Sequence, residues 1–246
     1  PTAGSVKIDG SNLGSALAGT IPATKISANT TSGFSVGTFE GTGSNGTVAH
    51  GLSQAPELVI VKNMDMTNEW PVGTTAGSLN FTDYLALDKA RATADDDRPF
   101  NDTNPTASVF SVGTYDGSNE NNDTILFYCF HSVEGYSKVG SYVGNNDAAE
   151  NTFVYCGFKP AMVITKATAD AGQDWTLRDN KRNTYNVVDT ALEPNSNTAD
   201  DTQSNFNIDF LSNGFRPYNN NTQGAGNAAQ LFIAFAESPF KTSNAR

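Results

Sequence analysis

Residues 34–62 read FSVGTFEGTGSNGTVAHGLSQAPELVIVK, and residues 137–166 read SKVGSYVGNNDAAENTFVYCGFKPAMVITK. The two stretches follow one pattern. Val36-Gly37-Thr38-Phe39 with Gly41 corresponds to Val139-Gly140-Ser141-Tyr142 with Gly144, 103 residues on. Gly51-Leu52 answers Gly157-Phe158, and Pro56 ahead of Leu58-Val59-Ile60-Val61-Lys62 answers Pro160 ahead of Met162-Val163-Ile164-Thr165-Lys166. Further out, Glu69-Trp70 matches Asp174-Trp175, Ala94-Asp95-Asp96 matches Ala199-Asp200-Asp201, and Ile125 to Phe130 matches Gln230 to Phe235, all 105 residues apart. An offset that drifts by two residues over a hundred is that of an old duplication whose loops have absorbed insertions. FSVGT also recurs at Phe34 and Phe110, but that register spans one strand and a turn and reflects shared strand-turn chemistry within a copy.

Each copy reads as β throughout. Short runs rich in Val, Ile, Phe, Tyr and Thr are bounded by Gly, Asn, Asp and Pro clusters. The best helical stretch, Tyr84 to Ala94, has good helix formers but no capping box and no second apolar stripe, so one short helix is the most it predicts. Short strands at this spacing, without βαβ alternation, predict an all-β fold of two tandem sandwich or jelly-roll repeats. The boundaries read from the sequence are an extended stalk-like leader over 1–32, a first repeat over 33–136 and a second over 137–246. The join at Val133-Glu134-Gly135-Tyr136 offers no flexible linker, so the repeats are expected to pack closely. Whether they are two sandwiches or halves of one is open at this point.

The chain has 246 residues, of which 37% are hydrophobic, and its 22 Gly and 10 Pro with many Asn, Thr and Ser fit many short loops. Its net charge of −11 repels nucleic-acid phosphates and anionic lipid, which removes nucleic acid from the expected partners. No run reaches the ~18 apolar residues of a spanning helix, and the N-terminus lacks the basic-then-apolar plan of a signal peptide. The leader is rich in small residues, with Val6, Ile8, Leu13, Leu17, Ile21 and Ile26 widely spaced. It cannot form a core alone; it is either disordered or buried against copies of itself in an oligomer.

Few residues are suited to chemistry. Cys129 and Cys156 lie in aromatic strand-like runs and are expected to be reduced core thiols. Gly41-Thr42-Gly43-Ser44-Asn45-Gly46 formally fits G-x-G-x-x-G, but Thr47-Val48-Ala49-His50 continues it as a strand where a dinucleotide site needs a helix. His50 and His131 have no nucleophile elbow or H-E-x-x-H beside them and are read as structural. Asp95-Asp96-Asp97, Asp116 with Glu120 and Asp123, and Asp200-Asp201 are candidate calcium ligands that lack an EF-hand register, so they are read as solvated turns. Trp70 and Trp175 recur at equivalent positions, which argues for packing. The sequons at Asn45 and Asn101 fit chance in so Asn- and Thr-rich a chain. Aromatics in unrepeated loops, Tyr218 in RPYNNNT and Phe100 in DRPFND, remain as candidates for a glycan or partner contact. No catalytic residue, metal or cofactor is assigned.

The paired Pro56 to Lys62 and Pro160 to Lys166 segments, the two tryptophans and the closing Phe232-Ile233-Ala234-Phe235-Ala236-Glu237 resemble a duplicated domain of bacteriophage tail and tail-fibre proteins, notably of marine and cyanobacterial phages. Ile208-Asp209-Phe210-Leu211-Ser212-Asn213-Gly214-Phe215, Tyr185-Asn186-Val187-Val188-Asp189 and Asn101-Asp102-Thr103-Asn104-Pro105-Thr106 carry that resemblance over residues 33–241. The leader, with Gly10-Ser11-Asn12-Leu13 and Gly19-Thr20-Ile21-Pro22, is similar to fibre stalks, which are typically trimeric. The resemblance implies a virion structural protein of the tail, a fibre or spike tip exposed outside the host cell. Its implied partners are copies of itself in a homotrimer, other tail proteins and a host surface glycan or outer-membrane component. A non-binding adaptor or decoration protein, and a polysaccharide-degrading tailspike acting through loop carboxylates, are the alternatives.

Overall fold

The computed structural model of the chain describes residues 4–13, 17–144, 152–202, 207–218 and 229–239. They are nearly all β and fall into two units, Pro1–Leu87 with Thr93–His131 and Asp88–Ala92 with Ser132–Arg246. Each unit has its own hydrophobic core, so the copies are separate sandwich-like bodies and not halves of one.

The first unit holds β1 (Val6–Ile8), β2 (Ser11–Asn12), β3 (Ala23–Asn29), β4 (Phe34–Glu40), β5 (Gly46–Ala49), β6 (Leu58–Asn63), β7 (Pro71–Thr74), β8 (Asp83–Ala86), β9 (Ala94–Asp95), β10 (Val109–Val112), a one-turn helix α1 (Asp116–Asn119) and β11 (Thr124–Phe130). The second holds β12 (Ser137–Val143), β13 (Val154–Tyr155), β14 (Pro160–Ala167), β15 (Thr176–Asp179), β16 (Thr190–Ala191), β17 (Asp201–Thr202), β18 (Ile208–Leu211), β19 (Gly214–Pro217) and β20 (Ala229–Ala236).

The sheet of the first unit runs β2-β1-β3-β4-β11-β6-β7-β8-β9, and the ribbon β10-β5 packs on it through Phe110 and Val48. The second unit has a sheet in the order β12-β20-β14-β15 and a smaller one in the order β13-β19-β18. Thus β4-β11-β6-β7 and β12-β20-β14-β15 share one antiparallel order, built from the strands the sequence aligned.

The register explains the repeated Val-Gly-x-aromatic motif. Gly37 faces Phe127 across β4 and β11, and Gly140 faces Phe232 across β12 and β20. A Cβ on Gly37 would stand 2.5 Å from the Phe127 ring, and one on Gly140 would stand 2.7 Å from the Phe232 ring. Glycine lets each ring lie flat on the neighbouring strand, where it meets two more aromatics. Phe127 lies 6.5 Å from Phe39 and 5.1 Å from Phe110; Phe232 lies 6.3 Å from Tyr142 and 5.3 Å from Phe215. Edge-to-face and tilted contacts at such distances are favourable beyond the area they bury.

Three expectations change. Residues assigned to a stalk-like leader form part of the first unit: β3 pairs antiparallel with β4, β1 pairs parallel with β3, and Val6, Ile21 and Ile26 are buried in the first core. An otherwise open β4 edge is satisfied by the chain's own preceding segment. The boundary between copies falls at His131 and Ser132 instead of Tyr136, since the Ser132 hydroxyl accepts from the Val139 amide at 3.0 Å. Tyr84 to Ala94 contains no helix: Tyr84, Leu85 and Ala86 are buried in β8, which pairs with β7. Sheet pairing and burial override the intrinsic preference of so short a segment.

Candidate functional site

The fold absorbs most of the residues suited to chemistry. His50 is fully buried; its Nδ1 accepts the Leu52 amide at 3.1 Å and its Nε2 lies 3.1 Å from the Thr106 carbonyl. With Nδ1 accepting, the proton sits on Nε2, and the ring is neutral, bonded on both sides and kept from charging first of all by burial. His131 is also buried. Both cysteines are free and buried, and burial pushes the Cys156 thiol up to about 12 and the Cys129 thiol well above its ordinary value. Neither matches the low-pKa, accessible setting of a reactive thiol.

The glycine-rich loop is anchored from within. The Asn119 side chain at the end of α1 accepts the Thr42 amide at 2.9 Å and donates to the Ser44 and Gly113 carbonyls at 2.7 and 2.8 Å. The loop leads into β5 as expected, and the amides of Gly41, Thr42 and Gly43 all bond within the first unit.

The acidic turns are tied into the same framework. Arg98 holds Asp96 with a two-pronged pair at 2.9 and 2.6 Å, and Asp123 accepts the Asn63 amide group at 2.8 Å. Among the described residues no group of three or more His, Cys, Asp or Glu side chains is placed to hold a metal ion. Trp175 is core and Trp70 is half-buried. The lysines that precede them in the repeat act alike: Lys62 donates to Met66 and Asn68 carbonyls, and Lys166 to Ala167 and Gln173 carbonyls.

The two aromatic candidates part company. Phe100 is 1% exposed and meets Phe81 edge to face at 5.1 Å, so the expected loop contact is a core residue of the first unit. Gly73 of β7 leaves the floor for this pair, and no bulkier residue fits under the Phe81 ring. Tyr218 belongs to an outward-facing network in the second unit. Its hydroxyl donates to Asp209 Oδ2 and accepts from Arg216 Nη2 at 2.6 Å, while the guanidinium lies 4.8 Å over the Tyr218 ring and 3.1 Å from Asp209 Oδ2. Bonding to Asp209 raises the pKa of both Arg216 and Tyr218, so the tyrosine remains a proton donor.

Alternation extends this network into a face. Asp209 pairs with Arg216 and Tyr155 pairs with Gly214, while Phe210 pairs with Phe215 and Val154 with Phe215 on the core side. Residues on the other side of β13-β19-β18 therefore point away from the core: Phe153 and Tyr155, then Arg216 and Tyr218, then Asp209 and Asn207. Phe153 is 45% exposed and Tyr155 65%. Asp209 Oδ1, Asn207 Oδ1 and Arg216 Nε are buried without a partner.

The first unit supplies the comparison. Val48 opposite Phe110 corresponds to Val154 opposite Phe215, which sets Thr47, Ala49, Ser111 and Gly113 in the places of Phe153, Tyr155, Arg216 and Tyr218. There the residues are small, Ala49 and Ser111 are buried, and the edge of β5 is taken by the Ile21 amide donating to the Thr47 carbonyl at 2.9 Å. Sequence reasoning found Tyr218 alone; the turn at Ser212-Asn213 with period-two alternation would have added Asp209 and Arg216.

A second exposed aromatic, Tyr185 at 85%, borders a concavity of about 200 Å³ lined by Lys159, Asn180, Asn183, Asn186 and Phe210. Its amides are committed: Asn186 brackets the Phe210 backbone at 2.9 and 3.0 Å, and Asn183 holds Asp189 and the Thr190 amide. This loop reads as a clamp on the β18 edge.

A family model described as a domain of unknown function (DUF7483) matches residues 9–239. No curated protein and no solved structure matches the chain.

Proposed function

The chain belongs to the family described as a domain of unknown function (DUF7483). That family carries no assigned role, and on the chain's own residues we propose that it is a virion structural protein of a bacteriophage tail, a fibre or spike tip that attaches the particle to the host surface. The observation that carries this reading is the outer face of β13-β19-β18. A duplicated scaffold bears small, mostly buried residues at these positions in one copy and exposed aromatics with an Arg-Tyr-Asp network in the other. Divergence on an exposed face of a shared scaffold is what recognition requires, because the scaffold keeps the fold while the surface is free to change. The resemblance of residues 33–241 to phage tail domains supplies the setting, and burial of both histidines and both cysteines favours binding over covalent catalysis.

On this reading the protein is a homotrimer on the particle, joined to other tail proteins and exposed outside the host. Mass spectrometry of purified native virions tests it directly: the chain is expected among tail components, and its absence ends the proposal. Purified protein is expected to scatter light as a trimer of the 26.1 kDa chain and to slow phage adsorption in competition. A chain that is present in particles but does not compete is an adaptor or decoration protein instead.

A further inference from the structure

We propose that the outer face of β13-β19-β18 binds a neutral, hydroxyl-rich saccharide, with Phe153 and Tyr155 as the stacking platform and Arg216, Tyr218 and Asp209 as the hydrogen-bonding row. This rests on the host-attachment reading and names the ligand class of that face.

The platform comes first. Phe153 and Tyr155 flank buried Val154, so their rings project from one side of an edge strand about 7 Å apart along the chain. Exposed aromatic rings side by side on a rigid strand lose little entropy on binding, and their electron-rich faces attract the polarised C–H bonds of a sugar ring. Val154 supplies the core contact, the Phe153 ring lies over Gly214 of the neighbouring strand, and the first unit has Thr47 and Ala49 at the equivalent positions.

The polar row selects the ligand. Tyr218 is locked between Asp209 and Arg216, so its ring and hydroxyl are held before any ligand arrives. Two acceptors, Asp209 Oδ1 and Asn207 Oδ1, and one donor, Arg216 Nε, remain without partners beneath the face. Unsatisfied buried donors and acceptors in one small area are uncommon and costly, and a hydroxyl is the group that both donates and accepts. These atoms lie under the face, so a ligand bearing adjacent hydroxyls reaches them as the side chains over them shift to admit it or a water that it orders.

Charge decides between neutral and acidic sugars. Arg216 is balanced by Asp209 at 3.1 Å, and the chain carries −11 overall. Among the described residues of this face the one cation, Arg216, is already paired, and a polyanion would be repelled at longer range. Only the neutral saccharide fits the aromatics, the mixed donors and acceptors and the charge together.

The test titrates the full chain with oligosaccharide fragments of dextran, mannan and galactan, with alginate fragments as the acidic comparison, read by saturation-transfer NMR and calorimetry. At least one neutral probe is expected to bind. Phe153→Ala, Tyr155→Ala and Arg216→Ala are each expected to weaken it about tenfold or more, as loss of one stacking or charge-assisted contact does, while Tyr185→Ala leaves it unchanged. Thermal melts identify any variant that fails to fold, and Tyr155→Ala, at an exposed position, is the variant that keeps the test decisive. Binding of no neutral probe, preference for alginate, or loss with Tyr185→Ala but not Tyr155→Ala overturns the proposal.

Adsorption to host cells separates this from the wider reading. Wild-type protein that binds cells and loses nothing in Tyr155→Ala overturns the saccharide face and leaves attachment standing, as does capture by a host outer-membrane protein without saccharide binding. Wild-type protein that binds a neutral probe through Tyr155 but no cells upholds the face and overturns attachment.

Discussion

His50 has both ring nitrogens committed, one accepting from Leu52 and one bonded to Thr106. Adding a proton to Nδ1 breaks the Leu52 bond and places a charge in the core, which burial opposes. The folded pKa therefore lies below the ordinary value of 6.5, and the unfolded chain binds the proton more readily. The sign follows: the stabilisation is fully present above 6.5 and is lost as pH falls below it towards the depressed value. Denaturant unfolding between pH 8 and 5 is expected to show a loss of stability below 6.5 that His50→Gln flattens; equal slopes in both proteins contradict this account. The thiols give a second residue-scale prediction. With both pKa values raised by burial, an aromatic disulfide reagent at pH 8 is expected to label neither Cys129 nor Cys156 in the native protein and both in denaturant. Prompt labelling of the native chain would mean that a core opens. Composition made these residues visible, with so few His and Cys to weigh, but only packing settled what they touch.

Strands in this protein are specified by pairs of residues that lie across from each other. Gly37 and Gly140, the glycines of the repeated Val-Gly-x-aromatic motif, both sit in regular strands under an aromatic ring. Gly37 is further confined by the Lys25 carbonyl of β3, 2.5 Å from where its Cβ would stand. Gly37→Ala and Gly140→Ala are both expected to destabilise by overpacking, on the order of 1–3 kcal/mol, and Gly37→Ala more strongly, because a backbone carbonyl yields less than a ring edge. Chemical denaturation of the two variants checks the order. The same element-scale logic explains the leader. Its apolar residues are too sparse for a core of their own, but β3 needs only every second residue inward to cover β4, with Ile26 and Ala28 buried and Ser27 and Asn29 exposed. Sparse spacing was legible in the sequence; the identity of the surface it covers was not, because an edge strand accepts any chain that reaches it in register.

Across the whole molecule, the duplication supplies an internal control that a single domain lacks. Phe127 and Phe232 occupy one position in two cores, each among two other aromatics. Phe127→Ala and Phe232→Ala are each expected to cost their own unit about 3–5 kcal/mol, read as a lowered unfolding midpoint; a cost under about 1 kcal/mol for either would mean that its core is not packed as described. The copies also differ inside. Arg178, fully buried, stands 105 residues after Gly73 and donates to the Thr165 hydroxyl at 3.3 Å, and burial lowers its pKa to about 10. The sequence by itself determined the β class, the internal repetition and the strands that correspond, because these follow from local pattern and from repetition along the chain. Tertiary structure alone decided that the leader belongs to the first unit, that Phe100 is core, and that Phe153, Tyr155, Asp209, Arg216 and Tyr218 share one face. Those residues are separated by up to 65 positions in the sequence, and only strand pairing, which fixes register across that distance, brings them within reach of one another.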